Sequence, residues 1–184
     1  MIILIISLVK ALVSLAIFIK AHYKPRRRLS QTELIFIGPD KLDVYKNLAQ
    51  AYEAEFSYLT HKLPQANGLF TLDTLPVSPY IGYLLYKKTM PVGFCVANVK
   101  GPINDMAEFY IVPSMRAQGW GQILATTLFD RFKGSWQVRE LEGAKQAIGF
   151  WRQVIGEYSH QNYIEARVAD KDWGSVVRQS FQSR

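Results

Sequence analysis

Between Met106 and Phe132 the chain reads MAEFYIVPSMRAQGWGQILATTLFDRF, an order of local signals that leaves few folds open to it. "MAEFYIV", Met106 to Val112, is a β-rich apolar run that Pro113 stops. Trp120, Leu124, Leu128 and Phe132 then recur at four-residue steps, an amphipathic helix that begins at Gly119 and that Gly134 can end through its tolerance of left-handed backbone. Strand, tight turn and helix thus meet at two glycines one residue apart. A glycine pair often marks only a turn or a helix start, so its surroundings decide its meaning.

The remaining elements alternate in the same way. "ELIFI" (Glu33 to Ile37) predicts a strand, and Pro39 with Asp40 a turn and helix cap. Leu42, Tyr45, Leu48, Tyr52, Phe56 and Leu59 form one apolar stripe, a helix from about Asp40 to Leu59 that "PQANG" breaks. Residues 69–75 carry no clear periodicity. "YIGYLLYKK" and "VGFCVANVK", separated by "TMP", predict an antiparallel hairpin. "SWQVREL" is a further strand, Ala147, Phe150, Trp151, Val154 and Ile155 mark a second amphipathic helix closed by Gly156, and "NYIEARV" and "SVVRQSF" are weaker strands. Strands and helices in this order predict an α+β or mixed α/β domain, with a mostly antiparallel mixed sheet flanked by helices.

Composition narrows the function classes. With 49% hydrophobic and 20% charged residues, the chain can bury a core. A net charge of +7 invites a nucleic-acid reading, but six of the 22 basic residues fall in the first 28, leaving 16 to balance 15 acidic ones. The body is nearly neutral, and nucleic-acid binding loses its electrostatic support. Cys95 is the only cysteine and lies in an apolar run, so it packs and pairs with nothing in the chain. His22, His61 and His160 are scattered, no paired His or Cys stands at metal-ligand spacing, and no metal is expected.

The first 29 residues form a separate segment, with 30–184 as one globular domain. Residues 2–19 are apolar except for Ser7, Lys10 and Ser14, barely enough for a helix to cross a hydrocarbon layer of about 30 Å. The basic cluster "KPRRR" follows the apolar run instead of preceding it, which is the reverse of a cleavable signal peptide. By the positive-inside rule this predicts an N-terminal apolar helix anchoring the body at the cytoplasmic face of a membrane. Ser7, Lys10 and Ser14 share one helical face, so a helix lying in the interface or packed on a partner fits as well, as does translated upstream sequence before a cytoplasmic protein.

A helix that opens at a glycine turn exposes unpaired N–H groups and the positive end of its peptide dipoles, a setting suited to phosphate. Without Cβ atoms at 119 and 121 a diphosphate can approach the amides, and Arg116 at the mouth can add charge-assisted hydrogen bonds. The spacing is neither that of GxxxxGK[ST] nor that of GxGxxG.

"RAQGWG", after the strand "AEFYIV" and opening a helix, resembles the Q/R-x-x-G-x-G/A acetyl-CoA signature of the GCN5-related N-acetyltransferase superfamily. "LFDRFKGSWQVREL" and "AIGFWRQVIGEY" extend the similarity to a group of bacterial predicted acetyltransferases, most closely from Met106 to Val168. The resemblance implies that the fourth and fifth strands splay apart and that the pantetheine arm lies between them, beside Ile111 and Val112. It places the cofactor diphosphate on the amides of Ala117, Gln118, Gly119, Trp120 and Gly121, with Gln122 close by and Phe150 and Trp151 on the neighbouring helix.

The implied reaction is direct acetyl transfer from acetyl-CoA to a primary amine of a small molecule or peptide, with no covalent enzyme intermediate. Glu108, a carboxylate inside an apolar strand, is the candidate base, with a structural ion pair as its other explanation. Arg139 and Glu140 are candidates for lining the acceptor side. Two positions depart from the N-x-x-A-x-x-F-Y pattern: Ala144 stands in place of Asn and Trp151 in place of the Tyr that often serves as general acid. Tyr110, Tyr158 or water can take that role. The departures leave two rivals, an acyl-CoA-binding module without turnover and a membrane-tethered scaffold that binds no cofactor. A homodimer is compatible with any of these readings.

Overall fold

A computed structural model describes residues 32–183, so the apolar segment, its basic linker and the expectations placed on them lie outside the described residues. The elements are β1 (Thr32–Phe36), α1 (Leu42–Thr60), β2 (Tyr80–Lys87), β3 (Met90–Asn98), β4 (Asn104–Ile111), α2 (Trp120–Arg131), β5 (Gly134–Leu141), α3 (Lys145–Ser159), β6 (Tyr163–Asp170) and β7 (Gly174–Ser183). Among the described residues no helix is long and apolar enough to cross a membrane.

The strands form one seven-stranded sheet in the order β1-β2-β3-β4-β5-β7-β6. All neighbours are antiparallel except β4 and β5. The expected mixed, mostly antiparallel sheet is therefore present.

Alternation along the strands gives each face its own helices. On one face Leu84, Phe94, Val96 and Tyr110 pack with Tyr45 and Ala49 of α1, a cluster that Tyr52 joins from its edge. On the other, Phe109 meets Trp151 of α3 at 4.8 Å between ring centroids, and Phe129 of α2 meets Trp136 at 5.0 Å and Phe181 at 4.8 Å. Edge-to-face contacts of this kind add about 0.5–1.5 kcal/mol each beyond their burial. Cys95 is wholly buried in this sheet, which pushes its thiol up to about 12 and makes it a core residue.

One irregularity positions the site. Val96 faces Glu108 while Ala97 faces Met106, so Ala107 is an extra residue in β4. β4 pairs with β5 only from Asn104 to Met106, against Trp136 to Val138, and the two strands run on unpaired beyond the bulge. The bulge also resets the alternation, turning Glu108 and Tyr110 toward α1 and leaving Phe109 and Ile111 toward α2 and α3.

Several predicted boundaries shift for physical reasons. α1 begins after a 3-10 turn at Pro39–Lys41 and ends at His61, whose left-handed backbone lets its N–H reach the Ser57 carbonyl. The hairpin turn is Lys88–Thr89, with Lys88 at φ 55°, and Pro91 sits inside β3 beside a register shift at Leu85/Tyr86. Gly134 does not cap α2, which stops at Arg131; it opens β5 at φ 121° instead. Gly156 does not end α3 either, because the left-handed cap is His160, and a Cβ at 156 would meet the Gln161 amide at 2.9 Å.

Candidate functional site

The turn between β4 and α2 has the geometry that its glycines imply. Arg116 is extended, Ala117 and Gly119 take left-handed φ of 56° and 87°, and the first helical bond runs from the Ile123 amide to the Gly119 carbonyl. Among the described residues no carbonyl or side chain accepts from the amides of Ala117, Gly119, Trp120, Gly121 and Gln122. They stand unpaired at the positive end of α2, beside the parted ends of β4 and β5, which is the chemistry of an oxyanion or phosphate cradle.

The two glycines have different reasons. A Cβ at Gly119 would meet nothing within 4 Å, so backbone conformation requires glycine there. A Cβ at Gly121 would sit 2.9 Å from the Phe150 ring, so close packing of α2 on α3 requires it. Open approach of a ligand, the reason expected from sequence, is thus joined by two requirements of the protein itself.

Other expected cofactor contacts are placed as follows. Arg116 does not point into the amide cradle: its Nε donates to the Ile111 carbonyl at 2.8 Å, its two terminal nitrogens hold Glu55 of α1 at 2.5 and 2.8 Å, and its guanidinium lies over Tyr110. Val112 donates its N–H to Val92, so of the backbone at the end of β4, alternation leaves the Ile111 N–H facing the gap. Gln118 bonds to the Ser114 carbonyl and Gln122 to Glu157. The Trp120 side chain is buried under Lys87, so only its backbone is offered to a ligand. Phe150 borders the gap between Gly121 and Phe109, whereas Trp151 is 4% exposed and belongs to the aromatic core. Ala144 is buried and caps α3 through its carbonyl.

Glu108 lies past the bulge, 8% exposed, on the α1 face. Burial raises its carboxyl to about 7; hydrogen bonds from Thr74 and Tyr52 oppose this, and the charges of Glu53 and Asp73 add to it. A carboxylate that titrates near neutrality is suited to receive a proton from an amine. Sequence reasoning missed this surround. Tyr52 read as one member of an apolar stripe, and Thr74 and Asp73 lie in a segment without periodicity.

The acid and acceptor-side candidates separate. Tyr110 is on the Glu108 face, buried against Phe94 and Tyr52. Tyr158 donates to Asp130 at 2.9 Å and packs on Phe129 and Phe181, at the end of α2 opposite the amides, which removes it from the gap. Arg139 shares the Glu108 face and joins Asp105 at 2.6 Å and Asp170 at 2.5 Å. Glu140, its neighbour, alternates to the opposite face under α3, so it does not line the acceptor side as expected.

Glu140 is 6% exposed and neither carboxylate oxygen has a hydrogen-bond partner. Burial, then the nearby Glu165, raises it to about 8 against the pull of Arg152. The folded chain therefore keeps this proton where the unfolded chain has released it, and stability falls as pH rises from about 4.5 to about 8. Replacing Glu140 by Gln is expected to recover roughly 2–4 kcal/mol of the difference between denaturant unfolding at pH 5 and at pH 8.5. Glu108 contributes a slope of the same sign to both proteins, so the difference isolates Glu140. Equal pH dependence in the two proteins would contradict this origin.

No profile of a known protein family matches the chain, and no curated protein matches it in sequence. Solved structures do match. An acetyltransferase of Thermus thermophilus aligns at 17% identity and a TM-score of 0.60, over 84% of this chain and 98% of its own. The ribosomal-protein-S18-alanine N-acetyltransferase of Escherichia coli aligns at 12% and 0.58, over 83% and 94%. A nourseothricin acetyltransferase aligns at 13% and 0.55, over 84% and 100%. The chain has the fold of the GCN5-related N-acetyltransferases. Among the described residues no cluster of His, Cys, Asp and Glu could hold a metal.

Proposed function

We propose that the chain transfers an acetyl group from acetyl-CoA directly to a primary amine. The observation that carries this reading is the fan of unpaired amides at Ala117 and Gly119 to Gln122, at the mouth of the β4–β5 gap. In this reading an extended pantetheine arm runs along β4 where its pairing with β5 has ended, with Phe150 on one wall and the Ile111 N–H on an edge. Bound there, acetyl-CoA supplies a thioester carbonyl carbon open to an amine nitrogen. The neutral amine attacks that carbon, Glu108 takes the proton that the nitrogen sheds as the nitrogen–carbon bond forms, and the carbon–sulfur bond breaks to release CoA as a thiolate that is protonated by water. Its Tyr52 and Thr74 hydrogen bonds hold the carboxylate in one orientation for that transfer.

Buried Ala144 and core-packed Trp151 favour one second reading, acyl-CoA binding without turnover. Thiol release from acetyl-CoA across a panel of primary amines, run with calorimetric titration of acetyl-CoA, separates the two. Turnover on any amine above solvent hydrolysis supports transfer, and binding without turnover supports the module. Absence of both outcomes, no heat and no thiol, would remove acetyl-CoA from the account.

A further inference from the structure

Residues 61–79 join α1 to β2 without a helix or strand of their own, and side chains of α1 fasten them down. Tyr45 donates its hydroxyl to the Thr74 carbonyl at 2.6 Å. Gln50 makes two bonds to the Phe70 backbone, donating at 3.0 Å and accepting at 2.7 Å. Lys62 places its ammonium 2.8 Å from Glu53 of α1 and 2.7 Å from Asp73 further along the same segment. Leu72 reaches the core and Pro76 is buried beside Gly82, while Leu63, Leu69, Leu75 and Val77 are exposed, so the polar bonds to α1 carry much of the hold on residues 61–75.

This segment covers the candidate base. Thr74 of this segment and Tyr52 of α1 both hydrogen-bond to the Glu108 carboxylate, which is only 8% exposed. An amine nitrogen must touch Glu108 to lose a proton to it. α1 cannot withdraw without unmaking the Tyr45–Ala49–Phe94 core, and β4 is fixed in the sheet. The segment 61–79 has few such commitments and is the part that can move.

We propose that residues 61–79 are a strap across the acceptor's approach to Glu108, latched by the Lys62 ammonium, and that a cationic primary amine releases it by replacing Lys62 between Glu53 and Asp73. Glu53 is 3% exposed, so its carboxylate stays paired with one ammonium or another. A primary alkylammonium carries the same charge and donors as the lysine it displaces. Neutral and anionic acceptors do not. The inference rests on Glu108 as the proton acceptor, and it narrows the acceptor to alkylamines that are protonated in solution.

The test uses amide hydrogen exchange and acetyl-transfer kinetics on the full chain, with 1,4-diaminobutane as acceptor and 1,4-butanediol as the neutral control. In Lys62→Met the Phe70 amide should exchange at least about tenfold faster while amides of β3 and β4 are unchanged. KM for the diamine should fall by about five- to tenfold with kcat within about twofold, since a larger open fraction raises apparent affinity. In the wild type the diamine, but not the diol, should speed Phe70 exchange. Should Lys62→Met fold poorly, Asp73→Asn removes one arm of the latch and should speed Phe70 exchange by a smaller factor. Phe70 exchange that is unchanged, or that rises equally with β3 and β4, overturns the strap. If no protein turns over any amine, the acetyl-transfer reading fails and the exchange data alone still decide the strap.

Discussion

Glu108→Gln is expected to lower turnover by roughly 100- to 10,000-fold, the span usual for loss of a positioned base, while acetyl-CoA affinity changes by less than about threefold. Gln keeps the shape and the ability to bond with Tyr52 and Thr74, so the loss isolates the proton. The wild-type dependence of kcat/KM on pH should rise through about 7, where the carboxyl ionises, and that limb should vanish in the variant. The sign follows from the raised value: the group is protonated and idle below it, ionised and competent above it. Full activity in Glu108→Gln, or an unchanged pH limb, would show that another group removes the proton. The β4 bulge makes the prediction sharp, because it turns Glu108 toward Tyr52 and the strap and away from the aromatic core.

Gly119→Val carries the second large effect, and it acts through the backbone. A side chain at 119 meets empty space, but φ of 87° is strained for a β-branched residue by about 1–3 kcal/mol. The turn can relieve the strain only by rotating residue 119 to negative φ, which swings the amides of 119 and 120 out of the fan. Amide bonds to a charged phosphate are each worth about 1.5–3 kcal/mol, so losing one or two lowers acetyl-CoA affinity about 10- to 10,000-fold in a calorimetric titration. Melting temperature should drop by about 2–12 °C, the equivalent of about 1–3 kcal/mol for a domain of this size. Gly121 behaves differently, since its substitution drives a side chain into Phe150 and costs packing as well as binding. An affinity that survives Gly119→Val would mean the amides do not hold the ligand.

The parts of the site that follow from local sequence were legible, and those that depend on distant packing were not. Met106 to Val112, the glycine pair and the four-residue steps after it contain the strand, the turn and the helix within about 27 residues. The exposed amides follow from that geometry alone. Glu108 stood out because a carboxylate interrupts an apolar run. Arg116, by contrast, is claimed by Glu55, 61 residues earlier in the chain, and nothing near Arg116 signals that partner. Tyr52 carries the periodicity of a core stripe whether or not its hydroxyl meets Glu108. Lys62, Asp73 and Thr74 lie where periodicity is absent, so their convergence exists only in three dimensions. Arg139 and Glu140 were both candidates for the acceptor side, and as neighbours on a strand they face opposite ways, so only Arg139 shares the Glu108 face. The helix ends assigned to Gly134 and Gly156 failed because glycine tolerates left-handed backbone without demanding it, and His160 accepted that conformation instead.

In the proposed reaction the amides from Ala117 to Gln122 hold the diphosphate of acetyl-CoA. A two-dimensional amide NMR titration of the isotope-labelled chain with CoA tests it directly. The resonances of residues 117–122 are expected to shift together and saturably, joined by Ile111, and in Gly119→Val the shifts at 119 and 120 should be lost and saturation of the others should move to higher CoA concentration. Resonances at 117–122 that stay fixed while CoA binds elsewhere, or while it does not bind at all, would contradict it.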